Sequence, residues 1–316
     1  MKNILFIGLT YHDYTNEMVT ELTKLGYNVK FYSIKPRSLF YKGLHTVSPA
    51  LFKKKLDAYH LSIVEKEKDN KYDIVFFLQV HFLELETLET LKDQHSNSIF
   101  ILYNWDSILT HDYRPHLKYF EKVYTFDPND AKKLNINYLP LFCISQFQNL
   151  KRKNQDQNMV SFVGNIGRMD RYRAIHGFTQ YCSKENIKFR KFLKCTPVVF
   201  YRLLKEKFFP TDVSFRAISK KEFIDILENS TTVFDFANHK QVGYTMRIIE
   251  NLCAGKKIIT NNQYIENDYF FSDDRILVFK DLDFSGVKLF MERKLADPEK
   301  TFPEFHLNNF LKHMLN

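Results

Sequence analysis

The sequence predicts an α/β protein built from two Rossmann-like, doubly wound domains, and three observations carry that prediction. The run Lys2–Gly8 is apolar and ends in glycine, and residues 159–164 repeat the pattern, again closing on glycine. Behind each run, apolar stretches of strand length alternate with stretches of helical periodicity, as a parallel sheet covered by helices requires. Residues 232–262 then read as strand, loop, helix and strand, half of a doubly wound unit in itself.

Taken in order, the first strand leads into a polar loop over 9–14, a helix over 16–25 closed by Gly26, and a strand over 28–33. The unit lacks the GxGxxG of a dinucleotide site, which argues against a nicotinamide enzyme. An amphipathic helix is expected over 48–70, with Lys53, Lys54 and Lys55 on its wet face. Strands follow at 73–78, 98–103, 122–126 and 137–139. In a parallel sheet the loops after such strands open on one edge, and these loops carry His12 and Asp13, Gln79 and His81, 104–107, and Asp127. Asp106 lies beside Trp105, the only Trp of the chain. It reads either as a carboxylate that activates an acceptor hydroxyl, directly or by orienting an imidazole such as His12, or as the cap of a following helix. The catalytic candidates are therefore Asp13, His12 and Asp106.

Periodicity fades after 142 and polar residues accumulate over 151–158, which places a first domain at 1–145, a linker at 146–158 and a second domain at 159–295. Just after the second glycine-terminated strand, Gly164 and Gly167 leave room for a ligand against the backbone, and the helix that follows offers free N–H groups and a positive dipole end. Arg168, Arg171 and Arg173 add permanent charge in the fork geometry that suits phosphate; the plainer reading is a set of surface arginines. Residues 184–221 mix Lys and Arg with Phe and Leu. The preferred reading is a core strand and helix with cationic outer faces, and contact with an anionic membrane is the other. A helix over 220–229, a last strand within 273–279, and helical patterns over 282–295 and 305–315 complete the chain. Asp281 and Asp283 have the spacing of a metal-binding DxD but are read as a helix start.

Composition sets limits on function. At 316 residues the chain can bury two cores, and 26% charged residues with 44% apolar ones describe a soluble globular protein. No apolar run approaches the roughly 18 residues of a membrane span, and the apolar start stops too soon for a signal peptide, so a cytoplasmic protein is expected. Four Cys without CxxC spacing argue against zinc and against a disulfide framework. Residues 1–150 hold 18 Lys and Arg against 17 Asp and Glu, so nearly all of the net charge of +9 belongs to the second half. That suits an anionic ligand such as a nucleotide diphosphate; no motif supports nucleic acid as partner.

The segment from Gln241 to Asn262 gathers the strongest pattern. Met246, Ile249, Leu252 and Cys253 recur at helical spacing, Gly255 closes that helix, and Arg247 and Glu250 share one of its faces. The pattern Gly243, Thr245, Arg247, Glu250, Gly255, Lys256, Lys257, Ile259, Thr260, Asn262 resembles the donor-sugar segment of GT-B glycosyltransferases, especially small bacterial proteins of capsule and lipopolysaccharide gene clusters. The glycine–arginine loop 164–173 and the segment 104–107 are similar to that family as well. The resemblance implies two Rossmann-like domains facing a cleft, with a final helix over 296–316 crossing back to the first domain. It implies that Glu250 binds the donor ribose, that Gly164, Arg168 and Arg171 face the pyrophosphate, and that Gln241, Gly243, Thr245 and Arg247 meet phosphate or sugar. Many retaining members carry a second Glu where this chain has Val242, so the stereochemical outcome is not assigned.

The implied function is metal-independent transfer of a sugar from a nucleotide-sugar to a glycan or lipid-linked acceptor in surface-polysaccharide synthesis, with no cofactor and with peripheral contact at the inner face of the plasma membrane. The alternative is a catalytically inactive nucleotide-binding or scaffold protein with the same shell.

Overall fold

Valine, isoleucine and phenylalanine concentrate in short runs of this chain, and the runs at 74–78, 232–234 and 257–260 are strands in which every residue is buried. The computed structural model describes residues 1–11, 13–36, 38, 41, 43–44, 47–150, 158–238 and 242–316. They divide into two units. Unit 1 comprises Met1–Ile144, His239–Gly243 and Leu307–Asn316; unit 2 comprises Ser145–Asn238 and Tyr244–His306.

Unit 1 contains β1 (Lys2–Gly8), β2 (Tyr27–Ser33), β3 (Ile74–Leu78), β4 (Ile99–Asn104), β5 (Lys122–Thr125) and β6 (Asn137–Tyr138), all parallel, in the order β2-β1-β3-β4-β5-β6. Helices α1 (Tyr14–Lys24), α2 (Pro49–Glu67), α3 (Leu85–Gln94) and α4 (Pro128–Leu134) supply its crossovers. Every residue of β3 is buried, as expected of a central strand. The last helix, Leu307–Leu315, also belongs to this unit: Phe310 packs edge-on against Tyr103 at 4.8 Å and against Phe142 at 4.4 Å. Asn308 donates to Glu21 on α1 at 2.6 Å, and that bond holds the Glu21 carboxyl below its usual range.

Unit 2 begins with α5 (Ser145–Gln148) and contains β7 (Met159–Asn165), β8 (Lys188–Lys194), β9 (Val213–Ser214), β10 (Thr232–Phe234), β11 (Lys257–Thr260) and β12 (Ile276–Val278). Their order, β12-β11-β10-β7-β8-β9, reverses direction between β7 and β10. Helices α6 (Met169–Lys184), α7 (Pro197–Lys205), α8 (Lys220–Glu228), α9 (Met246–Cys253) and α10 (Val287–Glu292) cover the sheet. The core is aromatic, with Phe178 stacked on Phe234 at 4.2 Å and Phe279 and Phe284 close by. Gly255 has the left-handed φ of 65° that its place after α9 called for.

One sequence expectation fails. Asp281 and Asp283 do not start a helix: Asp281 and Leu282 both take positive φ, 49° and 59°, Asp283 accepts from Ser285 N, and α10 starts only at Val287. Within 184–221, Leu193 of β8 and Leu203 of α7 join the core, with Val199, Phe200, Phe208 and Val213 packed against it, while Arg202 and Lys205 face out. The polar run 151–157, within the expected linker, lies outside the described residues.

The paired lysines after Gly255 are structural. Lys256 is buried and donates from Nζ to Leu227 O at 2.6 Å and Ser230 Oγ at 2.8 Å, satisfying the C-terminal end of α8. Lys257 does the same for α10 through Phe290 O at 2.7 Å and Arg293 O, while burial pulls its ammonium down to about 8. Helix ends leave carbonyls without partners, and an ammonium there answers both the missing bond and the negative dipole end. Lys256→Met keeps most of the apolar volume but strands these acceptors, so urea unfolding should show a loss of about 1–3 kcal/mol at unchanged m. A loss within error would assign Lys256 no such role.

Candidate functional site

The strand order reverses between β7 and β10, and in open α/β sheets ligands bind at the C-terminal ends of the strands at such a reversal. Unit 2 places its charged groups there. Asp235 directly follows β10 and is fully buried. Its Oδ1 accepts from Arg247 Nη1 at 2.8 Å and Thr245 Oγ1 at 2.9 Å, and its Oδ2 from Thr260 Oγ1 at 3.1 Å. Thr245 also caps α9, accepting from Ile248 N at 3.3 Å. One carboxylate thus ties together the ends of β10 and β11 and the start of α9.

Arg247 is held on a second side. Its Nη2 donates to Val163 O at 3.0 Å, and its guanidinium lies 4.6 Å from the centre of the Phe162 ring. Gly164 makes this approach possible: a Cβ there would lie 2.9 Å from Arg247 Nη2 and 3.0 Å from Phe162 Cζ. Arg171, on the first turns of α6, donates to Phe236 O at 3.3 Å and Asn165 O at 3.4 Å, and its buried Nε has no hydrogen-bond partner. Burial pulls its guanidinium below the ordinary value, and repulsion from Arg247 adds to this while Asp235 opposes it. The two guanidinium groups therefore share one electrostatic site. Arg168 is paired with Asp170 through Nε at 3.0 Å. Arg168 and Arg247 thus each meet an aspartate, Asp170 and Asp235, while Arg171 meets backbone carbonyls, at the edge where the N-terminal ends of α6 and α9 add positive dipole ends.

Glu250 sits on α9, partly exposed, yet burial of its carboxyl pushes it well above the usual carboxylate range. Gly243 has a packing reason to be glycine: a Cβ would lie 2.5 Å from Phe126 O. It and Val242 donate backbone N–H to Asp127 Oδ2 at 3.3 and 2.8 Å, while Asp127 Oδ1 caps α4 through Asn129 N at 2.9 Å. Gln241 and His12 lie outside the described residues.

In unit 1 the loops after β3 and β4 converge. Gln79, buried and at φ 71°, donates to Asp106 Oδ2 at 2.6 Å, and its Oε1 lies 3.3 Å from His81 Nδ1. The His81 ring stacks on His111 at 3.7 Å with 2° between planes. Burial, then the neighbouring His111, pulls His81 down to about 3, so this imidazole is neutral near pH 7. Burial raises the Asp106 carboxyl, against the opposing bond from Gln79. Asp106 is therefore a half-buried carboxylate in a polar cluster, and not the cap of a helix. Trp105 meets Tyr11 edge-on at 5.6 Å, and Asp13 begins α1 without a side-chain cap bond.

Asp235 is the site residue that the sequence did not bring forward, although a signal existed: an Asp inside the apolar run 232–236 needs a partner if the run is buried. Gln79 was placed in the loop after its strand, but its bond to Asp106 follows from a backbone conformation that no local pattern announces.

No protein-family profile and no curated protein matches this sequence. Solved structures do match over nearly the whole chain. A lipopolysaccharide outer core galactosyltransferase, WaaB, in its apo form superposes with a TM-score of 0.60 at 13% identity, covering 99% of both chains. An alpha-glucosyltransferase in complex with UDP and a mismatched DNA 13-mer gives 0.64 at 11% identity, covering 100% of this chain and 95% of that one. The S. aureus MnaA–UDP structure gives 0.58 at 10%, covering 100% and 95%. At such identities the likeness speaks for the fold alone: two Rossmann-like α/β units in one polypeptide, as in the GT-B fold.

Removing one partner of a buried ion pair leaves the other uncompensated. Asp235→Ala should therefore cost about 3–5 kcal/mol in urea unfolding, against about 1 kcal/mol for Thr260→Val, which removes only one hydroxyl. Equal losses in the two variants would remove Asp235 from the centre of the site.

Proposed function

We propose that this chain is a glycosyltransferase that moves a sugar from a nucleotide-sugar to a glycan or lipid-linked acceptor in bacterial surface-polysaccharide synthesis, in the cytoplasm and without a metal ion. The observation that carries this reading is the arginine pair at the strand-order reversal of unit 2, where Arg247 is fixed by Asp235 and Arg171 lies beside it. In the transfer, the acceptor oxygen bonds to the anomeric carbon while the bond from that carbon to the diphosphate oxygen breaks. The electron pair leaves with the diphosphate. Positive groups already in place stabilise that developing charge without reorganising, which is the service a divalent ion performs in other transferases. Glu250 is the group for the donor ribose, where its carboxyl can exchange hydrogen bonds with the hydroxyls. Two of the similar proteins are complexes with UDP, and a uridine nucleotide is accordingly the first donor to try.

The acceptor hydroxyl must lose a proton. Of the carboxylates and imidazoles the sequence put forward, Asp106 combines burial, a raised carboxyl and a fixed orientation from Gln79, which together make it a stronger and better-aimed base than a surface aspartate.

The test is a panel of purified nucleotide-sugars assayed for transfer and hydrolysis, with calorimetry for nucleoside diphosphate binding. Arg171→Ala should weaken diphosphate binding tenfold or more, and Asp106→Asn should leave binding intact while lowering kcat about 10²–10⁴-fold. A base acts only when deprotonated, so kcat should rise with pH through a limb above the ordinary aspartate range and then level off. Diphosphate binding with no turnover on any donor would favour an inactive scaffold, and absence of binding would reject both readings.

A further inference from the structure

The most exposed apolar surface of unit 2 is built, and it is rimmed with positive charge. In α7, Val198 is 62% exposed, Tyr201 58% and Leu204 36%, spaced so that all three fall along one side of the helix. Beyond it Phe209 is 77% exposed and Phe215 55%. Burial of all five would remove a large apolar area from water, and soluble surfaces seldom show such a group without a partner.

The chain between them is rigidly set. Lys207 takes a left-handed φ of 62°, and the bonds Lys207 N to Leu204 O and Phe208 N to Leu203 O, both 3.0 Å, form the paired helix stop usually made with glycine. Phe208 packs inward, 5.3 Å edge-on from Tyr172, and Pro210 is buried. With both its neighbours fixed, Phe209 is directed outward. Phe200 supports Phe215 from behind at 5.4 Å.

Charge decides what covers this surface. Arg202, Lys205, Lys207 and Arg216 are exposed around it. The acids among them are engaged elsewhere, Glu206 by Arg173 and Asp212 by Lys191. Aromatic residues ringed by cations that pair with no acid among the described residues match the two layers of an anionic bilayer, apolar below and negative at the surface. We propose that α7 and the turn 206–216 form a docking surface for an anionic phospholipid membrane, with Tyr201, Phe209 and Phe215 entering the interface and Arg202, Lys205 and Lys207 meeting the headgroups. This does not rest on the sugar-transfer reading, and its failure would leave nucleotide binding untouched.

The full chain is floated with vesicles of phosphatidylcholine alone and of phosphatidylcholine with phosphatidylglycerol. Binding is expected only to the second and should weaken steeply as salt rises. Phe209→Glu and the pair Arg202→Glu with Lys205→Glu should each reduce it at least tenfold without lowering Tm, because all three side chains are exposed. Phe209→Trp supplies a positive signal, a blue shift of emission on anionic vesicles. No flotation with phosphatidylglycerol, equal binding to both vesicles, full binding by the variants, or an unshifted Trp spectrum would each overturn the proposal. Capture of an acidic protein in place of vesicles would overturn it as well.

Discussion

The structure of unit 2 depends on one buried carboxylate. Asp235 has no contact with water, and an isolated charge in that position would cost several kcal/mol. It is tolerated because three donors converge on it, from Arg247, Thr245 and Thr260. Each donor comes from a different part of the fold: Arg247 from within α9, Thr245 from its cap, and Thr260 from the end of β11. Satisfying the carboxylate therefore fixes where the helix starts and how it is turned against the sheet. The same constraint reaches β7, since Arg247 also binds Val163 O and lies over Phe162, which leaves room at residue 164 only for glycine.

A guanidinium held in this way differs from a surface arginine. Its position is set before any ligand arrives, so binding an anion costs little side-chain entropy. Part of its charge is offset by Asp235, and Arg171 compensates. Arg171 is half-buried, bonded only to neutral carbonyls, and lowered by desolvation and by Arg247. Its charge is the one a negative ligand would relieve. In the proposed transfer the two arginines would have separate duties, Arg247 as the frame and Arg171 as the cation that meets the diphosphate. Unit 1 repeats the theme with opposite sign, where Gln79, in a left-handed conformation rare outside glycine, holds Asp106 in a polar cluster.

Most of the architecture was legible in the sequence, because it depends on local pattern. The glycine-terminated strands, the helix Met246–Cys253 and its Gly255 stop all follow from periodicity and from where glycine is needed. What could not be read depends on contacts between distant segments. Lys256 and Lys257 stand in the pattern that resembles a donor-sugar segment, and their ammonium groups close helices 29 and 33 residues away in sequence. Gly243 looks like a loop made flexible for a ligand, and it is glycine because Phe126 occupies the space a Cβ would need. In 184–221 the core strand and helix were legible, but the apolar residues left outside, Val198, Tyr201, Phe209 and Phe215, were not, because periodicity does not say which of two apolar sides meets the core.

The most direct test of the central claim is a crystal structure of the protein soaked with UDP. The account predicts diphosphate oxygens within hydrogen-bond distance of Arg171 and the first backbone N–H groups of α6, with Arg247 still bonded to Asp235. A diphosphate bound elsewhere, or an Arg247 that left Asp235 to reach it, would contradict the proposal that a prearranged cationic site at the strand-order reversal binds the diphosphate.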